Sequence, residues 1–250
     1  MEQAFSEYGL IGYPLGHSFS KTYFNEKFER EKLFHCQFEA FAIPNVEVFP
    51  DLLQLHPQLK GLSVTIPYKE QILKYVDELS PEVAAIGATN SIRICNGKLK
   101  AYNTDIIGFE ISFKEKLQPH HRQALVLGTG GASKAVQYVL AKMQMPFLVV
   151  TRTPQASNQI SYAELNAVTL QQYPCIINCT PVGMYPNSNE CPPIPYEALT
   201  AENYLYDLVY KPEQTRFLLK GMMYNATVKN GFDMLLLQAE ASWKIWNETT

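Results

Sequence analysis

Residues 124–141 read ALVLGTGGASKAVQYVLA, and the rest of the architecture can be built on them. Ala124 to Leu127 form an apolar run of the length buried inside a parallel sheet, and the run leads straight into Gly128, Gly130 and Gly131. Beyond the glycines, Ala132, Val136, Val139 and Leu140 recur at helical spacing. A strand turning through glycines into a helix leaves the first helical N–H groups pointing at the turn, where the helix dipole favours negative charge. Such a turn can seat a dinucleotide pyrophosphate. Gly128 allows the tight turn, Gly130 lets the main chain approach the phosphates, and Ser133 stands where a third glycine is usual. The same pattern also describes a plain tight βα turn, so its ligand is decided by what surrounds it.

On the C-terminal side, FLVV (147–150), CIINCT (175–180) and YLYDLVY (204–210) have strand length. Helices are expected near Tyr162, over Pro212 to Met223 and over Phe232 to Asn247, with a Pro-rich loop from Pro181 to Pro195. On the N-terminal side YGLIGY (8–13), FEAFAI (38–43) and GLSVTIP (61–67) are strands, separated by helices over Lys21 to Lys32 and Val46 to Leu55. A helix is expected over Tyr68 to Leu79. SIRICNGKLKAYN (91–103) is a hairpin turning at Asn96 and Gly97. The stripe Ile106, Phe109, Phe113, Leu117 is a further helix, ended by the polar cluster Pro119 to Arg122. Alternation of β and α in both halves predicts an α/β protein of two βα domains around a cleft, each with an open parallel sheet, the second a Rossmann-like dinucleotide-binding domain. The final helix, from about Phe232 to Asn247, could belong to either half.

Composition narrows the partners. With 250 residues, roughly 73% of the unfolded surface can be buried, so no disulfide or metal staple is needed. The balance of 21 Lys and Arg against 24 Asp and Glu includes no basic run to hold a phosphate backbone, which argues against nucleic acid. Five scattered cysteines, Cys36, Cys95, Cys175, Cys179 and Cys191, lack the paired spacing of a zinc site and read as reduced thiols. No apolar run reaches membrane-spanning length, and MEQAFSEYG does not resemble an export signal. The expectation is a cytoplasmic protein with no metal and no membrane association.

Four other segments carry polar chemistry. After FLVV, where an acidic residue would hold the ribose hydroxyls of NAD, the chain reads Thr151, Arg152, Thr153. Two hydroxyls and a guanidinium suit a 2′-phosphate; a solvent-facing arginine is the other reading. GYPLGHSFS (12–20) brings Ser18 and Ser20 to a helix start, either as a carboxylate seat or as capping residues. In GLSVTIPYKE, Ser63 and Thr65 share one strand face and Lys69 falls in the first turn of the expected helix. An ammonium there opposes the helix dipole and, if also desolvated, is readied for proton transfer; otherwise Lys69 is a surface lysine. Asp105 occupies an N-cap position, which capping alone would explain.

Taken together, the blocks GYPLGHSFS, VTIPYKE, IGATNSI, AYNTD, LGTGGAS, RT, INCTPVGM, DLVYKP and NGFDMLLLQA resemble the shikimate dehydrogenase family, in the family's order from Gly12 to Trp246. The resemblance implies NADP-dependent interconversion of 3-dehydroshikimate and shikimate, in chorismate and aromatic amino-acid biosynthesis. It implies Lys69 as the acid/base group beside Asp105, and Ser18, Ser20, Thr65, Asn90, Tyr210 and Gln238 around the substrate. Gly128, Thr129, Gly130, Gly131, Ala132, Thr151, Arg152, Thr153, Leu208 and Gly231 would line NADP, in the domain of residues 106–232. The final helix would return to the first domain, so that residues 1–105 with 233–250 form the substrate-binding domain, and the protein would be a monomer or homodimer. The chain departs from the family at Ser63 (usually Asn), Ile106 (usually Gly), Lys21 (usually Pro) and around Arg152, where an Asn and a further cation are usual. By that resemblance, the shorter side chain of Ser63 would leave one ring hydroxyl to water. Rival readings are a quinate/shikimate dehydrogenase using NAD, a folate-type dehydrogenase of the same plan, and a non-catalytic sensor of the same fold.

Overall fold

The computed structural model describes residues 4–16 and 19–248, so His17 and Ser18 lie outside the described residues. The chain divides into two units, the first running to Thr104 and resuming at Ala239, the second spanning Asp105–Gln238.

The first unit contains β1 (Ser6–Gly12), α1 (Phe19–Arg30), β2 (Cys36–Ala42), α2 (Phe49–Leu55), β3 (Leu59–Val64), β4 (Glu78–Leu79), α3 (Pro81–Ile86), β5 (Ser91–Cys95) and β6 (Lys98–Tyr102). The second contains α4 (Asp105–Lys114), β7 (Ala124–Leu127), α5 (Gly131–Lys142), β8 (Phe147–Thr151), β9 (Gln159–Ser161), α6 (Ala167–Gln172), β10 (Cys175–Asn178), β11 (Tyr204–Asp207), α7 (Arg216–Met223) and β12 (Thr227–Lys229). The division falls within α8 (Phe232–Trp246).

The second sheet has the order β12-β11-β10-β7-β8-β9, and every pairing in it is parallel. All four residues of β7 are fully buried, as a central strand covered on both faces requires. The first sheet, ordered β2-β1-β3-β5-β6-β4, corrects the expectation of a parallel sheet. Its β1 runs parallel to β2 and β3, but β5 is antiparallel to both β3 and β6. The hairpin forces the β5–β6 pairing: Asn96 and Gly97 both have positive φ (51° and 74°), the two-residue turn that reverses a strand.

Other expectations shift at element ends. The helix foreseen over Tyr68–Leu79 is a five-residue 3-10 turn, Gln71–Tyr75, followed by β4. Sheet pairing takes the backbone that a longer helix would need: Asp77 N–H donates to Leu99 O (2.9 Å), Leu99 N–H donates to the Asp77 carboxylate (2.7 Å), and Ser80 N–H donates to Ala101 O (2.9 Å). Lys69 lies in the turn before that segment, so it does not face an α-helix dipole. Asp105 is the first residue inside α4 rather than its cap, and it is buried. α7 starts at Arg216 instead of Pro212 because Thr215 caps it, accepting from Leu218 N–H (3.4 Å).

α8 closes the first unit's core through its C-terminal half. The Trp246 ring leaves no room for a Cβ at Gly61 in β3, stacks on Tyr8 at 5.6 Å, and donates from Nε1 to Ser91 Oγ (3.0 Å).

Candidate active site

In the second sheet the chain leaves β7 in one direction to β8 and β9, and builds β10, β11 and β12 on its other side. The carboxyl ends of β7 and β10 therefore flank a topological switch point, where open α/β sheets bind their ligands. The glycine turn lies there. Gly128 has φ 101°, a conformation L side chains rarely adopt, and donates its N–H to Val150 O (2.9 Å). Ser133, fully buried at the third-glycine position, donates Oγ to Gly128 O (2.6 Å), so the hydroxyl braces the turn where a glycine would only bring helix and strand close. Gly130 is the N-cap of α5 with no side-chain cap, and a Cβ on it would meet nothing within 4 Å. Open space in front of uncapped N–H groups fits a pyrophosphate.

Thr151 ends β8 half-buried, and Arg152 and Thr153 are exposed just beyond it. No acidic residue occupies this strand end. On the other side of the switch point, Leu208 and Gly231 come together: a Cβ on Gly231 would collide with the Leu208 carbonyl oxygen, and Gly231 N–H donates to Val209 O (3.3 Å). Tyr210 is half-buried, and burial pushes its phenol up. Gln238 donates Nε2 to Leu235 O (2.9 Å) within α8.

A buried polar network behind these loops was not singled out by reading the sequence, although its members lie within INCTPVGM and DLVYKP. Asn178, at the end of β10, donates Nδ2 to Asp207 Oδ1 (2.9 Å) and accepts at Oδ1 from Thr180 N–H (3.1 Å) and Thr180 Oγ1 (2.6 Å). Thr180 in turn places its methyl where a Cβ on Gly128 would come within 2.9 Å. The signal available was an Asn and an Asp each ending an apolar strand, where only a polar partner makes burial tolerable.

In the first unit, the loops after β1 and β3 lie together. Thr65 N–H donates to Ile11 O (2.9 Å), Tyr13 N–H donates to Ile66 O (3.1 Å), and the Thr65 methyl fills the space a Cβ on Gly12 would need. Asn90 joins them, its carbonyl accepting from Val64 N–H (2.8 Å), and Lys69 O accepts from Thr89 N–H (2.8 Å). Thr65 and Lys69 are half-buried, whereas Ser63 and Asn90 are buried. The Asn90 side chain is fixed from both ends: Oδ1 accepts from Thr104 N–H (2.7 Å), and Nδ2 donates to Thr104 Oγ1 (2.9 Å), itself 2.9 Å from Ser242 Oγ. Ser20 is in the first turn of α1, half-buried, next to Lys21, whose ammonium is 2.6 Å from Glu39. Ser20, Thr65, Lys69 and Asn90 thus belong to the loops and helix start that follow β1 and β3 or precede β5; Asp105 opens the second unit one residue after Thr104.

Comparison with known proteins gives consistent results. Residues 10–92 match the family model described as the shikimate dehydrogenase substrate binding domain. The shikimate dehydrogenase (NADP(+)) of Methanococcus maripaludis is 35% identical over 254 residues, covering 95% of this chain and 90% of that protein. The enzyme of the same name from Nitrosopumilus maritimus is 34% identical, covering 96% and 92%. Among solved structures, shikimate 5-dehydrogenase from Thermus thermophilus in complex with NADP(H) and shikimate superposes with a TM-score of 0.86 at 30% identity, covering 97% of this chain and 93% of that one.

Proposed function

The chain belongs to the shikimate dehydrogenase family, and on that footing we propose how its residues carry out the family's reaction. The protein is an NADP-dependent oxidoreductase that interconverts 3-dehydroshikimate and shikimate, a step of aromatic biosynthesis. The carrying observation is end-to-end likeness to enzymes of that name, in a chain whose glycine turn stands at the sheet's switch point. We assign the second unit to the cofactor and the first to the substrate, supported by the switch-point glycines and by the match of residues 10–92 to a substrate-binding domain.

Gly128, Thr129, Gly130, Gly131 and Ala132 would hold the pyrophosphate, Thr151, Arg152 and Thr153 the adenosine 2′-phosphate, and Leu208 and Gly231 the far half of the cofactor. When bound, NADP(H) supplies or accepts a hydride. The substrate's carboxylate is seated by Ser18 and Ser20, and its ring hydroxyls by Thr65, Asn90, Tyr210 and Gln238. As the carbonyl becomes an alcohol its oxygen must gain a proton, which Lys69 donates and, in the reverse direction, removes. Asp105 accepts from the reacting hydroxyl and keeps it in register with the lysine. A proton donor held in place contributes about 10² to 10⁴ in rate. Lys69→Ala is therefore expected to lower kcat by that order with NADP(H) affinity unchanged, measured by steady-state kinetics and cofactor titration; a variant within about threefold of wild type would remove Lys69 from this role.

All five cysteines are free thiols, and among the described residues no helix is long and apolar enough to cross a membrane. We propose a cytoplasmic monomer or homodimer acting on a small molecule.

A further inference from the structure

Asp207, the last residue of β11, is completely enclosed, and no step of the reaction above uses it. Its carboxylate accepts three hydrogen bonds, from Asn178 Nδ2 (2.9 Å), Val209 N–H (3.0 Å) and Thr215 Oγ1 (2.5 Å). Each donor governs a different segment. Val209 lies between Leu208 and Tyr210. Asn178 passes the contact on to Thr180, whose methyl closes on the glycine turn. Thr215 caps α7. One carboxylate thus ties together the chain leaving β10, the chain leaving β11 and the start of α7.

These segments lie at the carboxyl ends of the strands on the β10 side of the switch point, whereas Arg152 follows β8 on the other side. A dinucleotide laid across the switch point with its adenosine at Arg152 brings its nicotinamide half to the β10 and β11 loops. We propose that Asp207 is a positioning residue for hydride transfer, holding Thr180 through Asn178, and Leu208 through Val209, in register with the glycine turn, so that the nicotinamide half is seated against the β10 and β11 loops. The proposal rests on assigning the second unit to NADP.

The chemistry of the site supports more than a packing role. No lysine, arginine or histidine pairs with Asp207 among the described residues, and burial pushes its carboxyl up to about 6. The titratable groups that face it are Cys179, beyond the end of β10, and Tyr196, in the turn Tyr196–Ala198, and burial pushes both up so that both stay neutral. A buried carboxylate without a cation is costly to keep, and filling space alone does not call for one. A proton on Asp207 Oδ2 reverses the bond with Thr215 Oγ1 and leaves Asn178 and Val209 on a neutral carbonyl oxygen, a weaker acceptor than a carboxylate, so the loops it holds loosen.

Asp207→Asn tests this because it keeps the shape and replaces one acceptor with an NH₂ group. The expected result is a kcat roughly 10- to 100-fold below wild type, the loss that a misplaced reacting group produces. The dissociation constant of adenosine 2′,5′-bisphosphate, a probe of the adenosine half alone, should stay within about twofold. Between about pH 5 and pH 8 the wild-type kcat should fall on an acid limb near 6 that the variant lacks. A kcat within about threefold of wild type, or the same acid limb in the variant, would overturn the proposal. So would equal weakening of the adenosine probe. Thr180→Val, which lies nearer the surface, covers the case in which Asp207→Asn fails to fold: a three- to tenfold drop in kcat, roughly, with unchanged adenosine-probe binding is expected, and an unchanged kcat would contradict the proposal. If the wild-type protein turned over no shikimate, the assigned reaction would fail, and the positioning claim would then be read from binding. NADPH should lose affinity in Asp207→Asn relative to adenosine 2′,5′-bisphosphate, and an unchanged ratio would refute it.

Discussion

Arg152 stands exposed beyond β8 with Thr151 and Thr153 on either side, at a strand end that lacks the carboxylate an NAD site uses. A charge-assisted hydrogen bond to a 2′-phosphate is worth about 1.5 to 3 kcal/mol, or roughly 10- to 150-fold in affinity. Arg152→Ala should raise KM for NADPH by about one to two decades and leave NADH use nearly unchanged, bringing the two cofactors close to parity. Equal use of NADH and NADPH by the wild type would make Arg152 an ordinary surface residue. Asp207 makes a different prediction, about stability. Its folded-state value of about 6 lies above the ordinary 3.8, so the folded chain holds this proton more tightly. The group's contribution is therefore fully present below about pH 4 and declines as pH rises through about 6, a loss of about 3 kcal/mol. Denaturant unfolding of wild type and Asp207→Asn across that range should show the variant gaining on the wild type as pH rises; parallel curves would mean the carboxyl is not perturbed. The glycine turn was legible because the positive φ of Gly128 is what a glycine at that spacing suggests, whereas the first-turn reading of Lys69 went with a helix that did not form. Asn178 and Asp207 were not, because two polar residues 29 positions apart reveal their pairing only once β10 and β11 lie side by side.

The strand, turn and helix over residues 124–142 were legible because local pattern and final burial agree. Of the expected stripe Ala132, Val136, Val139 and Leu140, the last three are buried as the helical period requires, whereas Ala132 is half-buried and Ser133 and Ala135 take inward places that the stripe passes over. β9 and β12, three residues each, were missed, since so short a strand is defined by its neighbour and not by its own alternation. The expected helix from Tyr68 failed for a related reason: its amide groups found sheet partners on β6. α8 shows the opposite case, a long apolar helix whose existence was clear and whose partners were not. Trp246 fills the space above Gly61 and reaches Ser91. Trp246→Ala should cost the first unit about 3 to 5 kcal/mol by leaving a cavity, seen as a lower unfolding midpoint; a loss below about 1 kcal/mol would show that the neighbouring rings close the gap.

Over the whole molecule, the alternation of strands and helices carried the α/β class, and the nine ordered blocks carried the family, which the comparisons then showed. The mixed first sheet was hidden in plain view: the Asn96–Gly97 hairpin was read correctly, but its antiparallel partner β3 follows from tertiary pairing alone. Fold alone leaves the activity open, since one architecture hosts many reactions, and a sensor could keep the same ligands without chemistry. The roles proposed for Lys69 and Asp105 matter only if hydride and proton actually move. The direct measurement is to mix the purified protein with shikimate and NADP⁺ and follow the absorbance of the reduced cofactor, with quinate and NAD⁺ as parallel substrates. Sustained NADP⁺-dependent reduction with shikimate, faster than with quinate or with NAD⁺, is the predicted result. Saturable binding of shikimate and NADP⁺ with no reduction would contradict it and make the protein a ligand-binding member of the family.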